Sequence, residues 1–187
     1  MRKIVAVIGD SKIEIDSLKY KLAFAMGKAL VDAGYRVQSG GLGGVMEAVF
    51  QGAKTSEKYR DGDTIAIVPS FDRNSVNQYA DIVIPSGLDL MRNTIVANAD
   101  AVVAIGGGAG TLSEIALAWS LYRPIVAFAN VEGWSSELAG RKLDNRERYS
   151  DIDDKVYEVH EPQQAVELIA NLIEVCNRCH HGIGYKK

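Results

Sequence analysis

The sequence predicts an α/β fold: a single doubly wound, mainly parallel sheet with helices on both faces. Three observations predict it. Short runs rich in Val, Ile and Ala are apolar throughout, as strands buried on both faces must be. These runs alternate with helical patterns from end to end, which is the pattern of parallel strands joined by crossover helices. Two clusters of glycine follow two of the runs, where strand-to-helix turns at the carboxyl edge of such a sheet fall.

Each element has a local cause. Lys3–Ile8 reads as a buried strand, ended by Gly9-Asp10-Ser11. Leu18, Leu22, Ala25, Met26, Ala29 and Leu30 share one face of a helix that stops at Ala33-Gly34. Tyr35–Gln38 is a second strand, and a helix beginning near Gly43 follows it through Val45, Met46, Val49 and Phe50. Thr64–Val68 and Asp81–Ile84 are strands stopped by Pro69 and Pro85. Leu88–Ala99 has a helical pattern, Ala101–Ile105 is a strand, and a helix covers about Thr111–Tyr122. Ile125–Ala129 and Val156–Val159 complete the strands, and Pro162 opens a terminal helix to Cys176. The charged stretch Ser135–Lys155 reads as a surface excursion, with Arg141, Lys142, Arg146 and Arg148 on a solvated face. Trp119 reads as a core or dimer contact.

A chain of 187 residues is long enough for one full-sized domain and short for two, so residues 1–187 are read as one unit with a flexible tail over 177–187. Its 21 Lys+Arg against 24 Asp+Glu give a net charge of −3, and no general attraction to nucleic acid or an anionic membrane. No apolar stretch is long enough to span a bilayer. The apolar run after Met1-Arg2-Lys3 is too short for a signal-peptide core, so a cytoplasmic chain is expected.

Of 18 glycines, eight lie in the two clusters: Gly40, Gly41, Gly43, Gly44, and Gly106, Gly107, Gly108, Gly110. Backbone N–H groups and the helix dipole make such turns favourable for phosphate. The dinucleotide fingerprint Gly-x-Gly-x-x-Gly breaks at Met46 and at Thr111, and no Gly-Lys-Ser/Thr follows either loop. A tight packing turn without a ligand is the alternative for each cluster. Thr111 and Glu114 also match a capping box, a purely structural use of the same residues. Arg92, at a helix start, has a surface ion pair as its structural alternative.

Gly107-Gly108-Ala109-Gly110-Thr111-Leu112-Ser113-Glu114 resembles the PGGxGTxxE signature of the Lonely Guy (LOG) family. Gly40-Gly41-Leu42-Gly43-Gly44-Val45-Met46 is similar to its GGxxGxM loop, and Leu90-Met91-Arg92-Asn93 lies where it carries MHxRK. Asn130-Val131-Glu132-Gly133-Trp134 resembles its NVDGYY segment. The resemblance implies a Rossmann-like homodimer that cleaves the N-glycosidic bond of a nucleoside 5′-monophosphate. It makes Glu114 and Arg92 the catalytic candidates. Ligand or phosphate contacts are then expected from Gly9, Ser11, Gly40, Gly41, Gly44, Met46, Gly107, Gly108, Gly110 and Thr111. Such a site calls for no metal and no redox cofactor. The lysine decarboxylase label of many relatives finds no pyridoxal phosphate site here.

Three positions differ from the family: Gly106 replaces the proline of the signature, Asn93 replaces the lysine after the arginine, and the histidine of MHxRK is absent. These differences resemble the branch that includes the molybdenum cofactor carrier protein. Two functions therefore stand at this point: a phosphoribohydrolase, and a non-catalytic carrier or sensor of a phosphate-bearing ligand. Cys176-Asn177-Arg178-Cys179-His180 matches the haem-attachment pattern, and with His181 it could hold a fortuitous zinc; a frayed tail is the expected reading. His160 is the only histidine before that tail, which excludes a histidine triad in the core.

Overall fold

The computed structural model describes residues 1–180; His181 and the rest of the expected tail lie outside the described residues. Seven strands form one parallel sheet: β1 (Ile4–Gly9), β2 (Arg36–Ser39), β3 (Thr64–Val68), β4 (Ile82–Pro85), β5 (Ala101–Ile105), β6 (Ile125–Phe128) and β7 (Val156–Val159). Their order is β4-β3-β2-β1-β5-β6-β7. The chain winds outward from β1 to β4, then returns to place β5 beside β1 in the register Val5↔Ala101 to Gly9↔Ile105. The winding reverses between these two strands, and in open parallel sheets ligands lie outside that reversal.

Alternation along β1 builds two cores. Val5 and Val7 face the layer that holds α1 (Leu18–Asp32), α2 (Val45–Ala53) and α6 (Pro162–Val175). Ala6 and Ile8 face the layer of α3 (Asn93–Ala97) and α4 (Ala109–Ser120), around Ile115 and the fully buried Trp119. Successive residues of a strand point to opposite faces, so a strand covered on both sides must be apolar at every position. α1 and α2 pack so closely that a Cβ on Gly27 would lie 1.9 Å from the Val49 carbonyl oxygen. No helix among the described residues is long and apolar enough to cross a membrane.

Several expected boundaries are corrected. The helix expected over Leu88–Ala99 is a 3-10 turn, Asp89–Arg92, followed by the short α3. Gly87 and Asp89 both have positive φ, which prevents a regular helix from starting at Leu88. Pro85 does not stop β4 but is its last residue, tolerated because β4 is an edge strand. α4 begins at Ala109, two residues earlier than expected, with Gly108 at its N-cap and no side-chain cap. The Thr111–Glu114 capping box is therefore not formed. The excursion after Ser135 opens with a helix, α5 (Trp134–Leu138), which sequence reasoning missed.

Arg148 is not on a solvated face. It is 2% exposed, with Nε and Nη2 each 2.7 Å from the Asp154 carboxylate and Nη1 donating to the Trp119 and Arg123 carbonyls. Its guanidinium lies 3.6 Å over the Trp119 ring. This side chain fastens the excursion to the C-terminal end of α4, where a cation also meets the negative end of the helix dipole.

Candidate functional site

A cleft of about 300 Å³ opens at the carboxyl ends of β1 and β2, against the start of α4. That is near the lower limit for small-ligand pockets. Gly9, Ser11, Gly40, Met46, Gly108, Gly110 and Thr111 line it, together with Arg92 and Glu114. The sheet brings together segments far apart in sequence: the loop after β1, the first glycine loop after β2, the turn before α3, and the start of α4. Gly41, Gly44 and Gly107 lie behind this lining rather than in it. Gly44 caps α2 with φ 67°, and the Gly41 carbonyl accepts from the Asn77 amide, so both shape the loop from behind.

At the floor, Arg92 Nη1 donates to Glu114 Oε1 at 3.2 Å. The two residues are 9% and 6% exposed. Gly40 makes this geometry possible: a Cβ there would lie 2.5 Å from Arg92 Nη1. The surface ion pair that Arg92 could have made is thus a buried one. Burial pushes the Glu114 carboxyl up to about 7 against the opposing pull of Arg92, and burial also lowers Arg92 from its usual range. Arg92 has five N–H donors, and among the described residues only Glu114 accepts from it. A nine-tenths-buried guanidinium with unspent donors in a cleft is suited to an anionic or carbonyl-bearing ligand.

The second glycine loop divides into two parts. Gly106 N–H donates to Ser135 Oγ and Gly107 N–H to Asp10 Oδ2, so neither amide is open to a ligand. Beyond them, the first-turn amides of α4 have no intrahelical acceptor and carry the positive end of the helix dipole. The amides without an acceptor in the chain therefore begin at Gly108, one residue further along than the signature alone suggests. Asn93, which stands where the family has a lysine, also lines the cleft and donates to Ser113 Oγ, which itself donates to the Gly110 carbonyl. The role of Asp10 in fastening Gly107 was missed as well. The adjacent Gly9 and Ser11 marked that strand end, and only the β1–β5 pairing shows what Asp10 faces.

The terminal cysteines are not part of this site. Cys176 is buried at the end of α6, its thiol pushed up to about 11 by burial, while Cys179 is exposed. Among the described residues no group of three or more His, Cys, Asp or Glu side chains is arranged to hold a metal ion.

Comparisons with known proteins agree with this architecture. An uncharacterized protein of Archaeoglobus fulgidus is 39% identical over 115 residues, covering 61% of this chain and 72% of its own. The X-ray structure of TM1055 superposes with a TM-score of 0.79 at 30% identity, covering 90% of this chain and 99% of its own. The molybdenum cofactor binding protein of Rippkaea orientalis has a TM-score of 0.76 at 32% identity, over 92% of this chain and 98% of its own. The molybdenum cofactor carrier protein of Chlamydomonas reinhardtii, at 24% identity and a TM-score of 0.73, shares the fold. The Rossmann-like sheet and the resemblance to LOG proteins converge on one group, whose family model matches residues 2–166: the chain belongs to the SLOG cluster4 family.

Proposed function

We propose that the protein binds a phosphate-bearing, nucleotide-like ligand in this cleft and hydrolyses the N-glycosidic bond of a nucleoside 5′-monophosphate. The observation that carries this reading is the buried Arg92–Glu114 pair on the cleft floor, beside the open amides of α4. The 5′-phosphate rests on the backbone of Gly108–Thr111, with the Thr111 hydroxyl beside it. Water attacks C1′, the C1′–N bond breaks, and the base leaves with the bonding electrons. The transition state is a cation-like sugar, so a fixed carboxylate near the ribose lowers the barrier. Glu114 accepts the proton of the attacking water, and Arg92 assists the departing base or holds the phosphate.

Incubation with AMP and with N6-substituted AMP, followed by chromatography, tests this. Equal amounts of free base and ribose 5-phosphate are expected. The active form of Glu114 is the carboxylate, and its pKa stands near 7 rather than 4.5. After correction for the second phosphate ionisation near 6, kcat/KM should rise about tenfold per pH unit up to about 7 and level off above. A plateau already reached at pH 5.5 contradicts a base that burial has raised to about 7.

The second reading, a carrier or sensor of a phosphate-bearing ligand, is favoured by the likeness to the Rippkaea orientalis molybdenum cofactor binding protein. It uses the same anion position without chemistry. Tight AMP binding with no base release would select it.

A homodimer is part of the same proposal. Leu88, Leu90, Met91 and Ile95, on and before α3, and Ile82 and Ile84 on edge strand β4, are exposed apolar residues. Burying such residues gains roughly 25 cal/mol per Å². Light scattering at micromolar concentration should give twice the chain mass; the mass of one chain contradicts the proposal.

A further inference from the structure

We propose that Asp10 sets the charge that the cleft accepts, admitting a single phosphate group and rejecting a longer phosphate chain. The inference rests on the reading of the cleft as a phosphate site and goes on to name which phosphate esters enter it.

Asp10 follows the last residue of β1, and β1 runs beside β5 with Gly9 opposite Ile105. The pairing carries Asp10 directly against the turn that leaves β5. Its Oδ2 accepts from Gly107 N–H at 2.9 Å and from Lys19 Nζ at 2.7 Å. Gly106, at φ 64°, leaves room for it: a Cβ on Gly106 would lie 2.4 Å from that oxygen and 2.8 Å from Lys19 Cε. Backbone amides of a glycine turn form a concavity that binds anions. Here a carboxylate of the chain itself already occupies the first part of it.

Asp10 also lines the cleft, with its side chain 25% exposed, and the open amides of Gly108–Thr111 begin one residue past the amide it holds. A phosphate placed on those amides keeps its distance from Asp10 by lying toward Arg92. A second phosphate attached to the first adds negative charge to a cleft whose lining already includes the Asp10 carboxylate. Like charges oppose one another in a partly buried site. Lys19, 19% exposed, compensates Asp10 and limits the repulsion felt by the first phosphate.

The test uses the full chain and rapid-mixing binding of inorganic phosphate, AMP and ADP, read before base release. Wild type should bind AMP at least about tenfold more tightly than ADP, as expected for one unfavourable charge contact. In Asp10→Asn the side-chain carbonyl can still accept from Gly107 N–H, while the charge is lost and the Lys19 ammonium is released. Phosphate affinity should then rise about tenfold, and the preference for AMP over ADP should shrink by a similar factor. Unchanged phosphate affinity and an unchanged ratio overturn the proposal and leave Asp10 as a fastener of the turn. Weakened phosphate binding in a folded Asp10→Asn protein overturns it as well.

Lys19→Met carries the test if Asp10→Asn fails to fold. It uncovers the carboxylate, so phosphate should bind several-fold more weakly and the AMP preference should widen; no change in either overturns the proposal. If wild type binds neither phosphate nor AMP, the reading of the cleft as a phosphate site fails and this inference fails with it. If wild type binds AMP and the ratio ignores both substitutions, only the assignment to Asp10 is lost.

Discussion

Replacing Glu114 with glutamine is expected to lower kcat for base release by about 10²–10³, the effect of losing one electrostatic stabiliser of a transition state. AMP affinity should stay within a few fold. Glutamine keeps the size of the side chain, and its carbonyl oxygen can still accept from Arg92 Nη1, as Glu114 Oε1 does at 3.2 Å. What disappears is the negative charge and the capacity to take a proton from water. The ribose is uncharged when it binds and cationic when the bond breaks, so the loss falls on kcat rather than on KM. Steady-state kinetics with a parallel thermal melt check this. A variant that keeps its kcat while losing thermal stability would make the Arg92–Glu114 pair a structural tie between α4 and the turn before α3.

The second large effect concerns the fold. Arg148→Ala is expected to cost about 3–5 kcal/mol, as breaking a buried ion pair does. The substitution strands the Asp154 carboxylate, only 5% exposed, and removes the donor to the Trp119 and Arg123 carbonyls. It also uncovers one face of the Trp119 ring. For a domain of this size the melting temperature should fall by roughly 6–20 °C. Arg146→Ala gives the contrast: Arg146 is exposed and its partner Asp144 half-buried, and a solvent-screened pair of this kind contributes about 0–1 kcal/mol. Equal melting temperatures for the two variants would contradict the assignment of Arg148 as the clamp of the excursion.

Arg148 shows where the sequence is a poor guide. In a window alternating Arg, Asp and Glu, nothing local separates the one arginine that turns inward, because its partners Trp119 and Asp154 are set by tertiary packing. The strands were legible for the opposite reason. Thr64–Val68 and Ala101–Ile105 have the expected bounds because each is buried at every position, which selects a continuous run of apolar and β-branched residues. The start of α4 was not. A match to a capping box is a local pattern, and the pull of Arg92, which lies 22 positions earlier, takes Glu114 into the cleft instead. Glycines within helices carry a meaning that only the packing shows: Gly27 and Gly52 lower helix propensity, and they are where α1 and α2 cross closely.

The candidate site was legible as two loops and two charged residues, since motif order along the chain survives folding. Its division of labour was not. Gly106 and Gly107 carry the strongest glycine signal, yet their amides serve Ser135 and Asp10. That assignment depends on β1 lying beside β5, a pairing between residues about a hundred positions apart in sequence.

The most direct measurement is a crystal structure of Glu114→Gln soaked with AMP, since slowed turnover keeps the nucleotide intact. The phosphate is expected on the N–H groups of Gly108–Thr111 and the ribose C1′ facing residue 114, with Arg92 against the ligand. Nucleotide density bound elsewhere, with the cleft between Gly40 and Thr111 left to solvent, would contradict this placement.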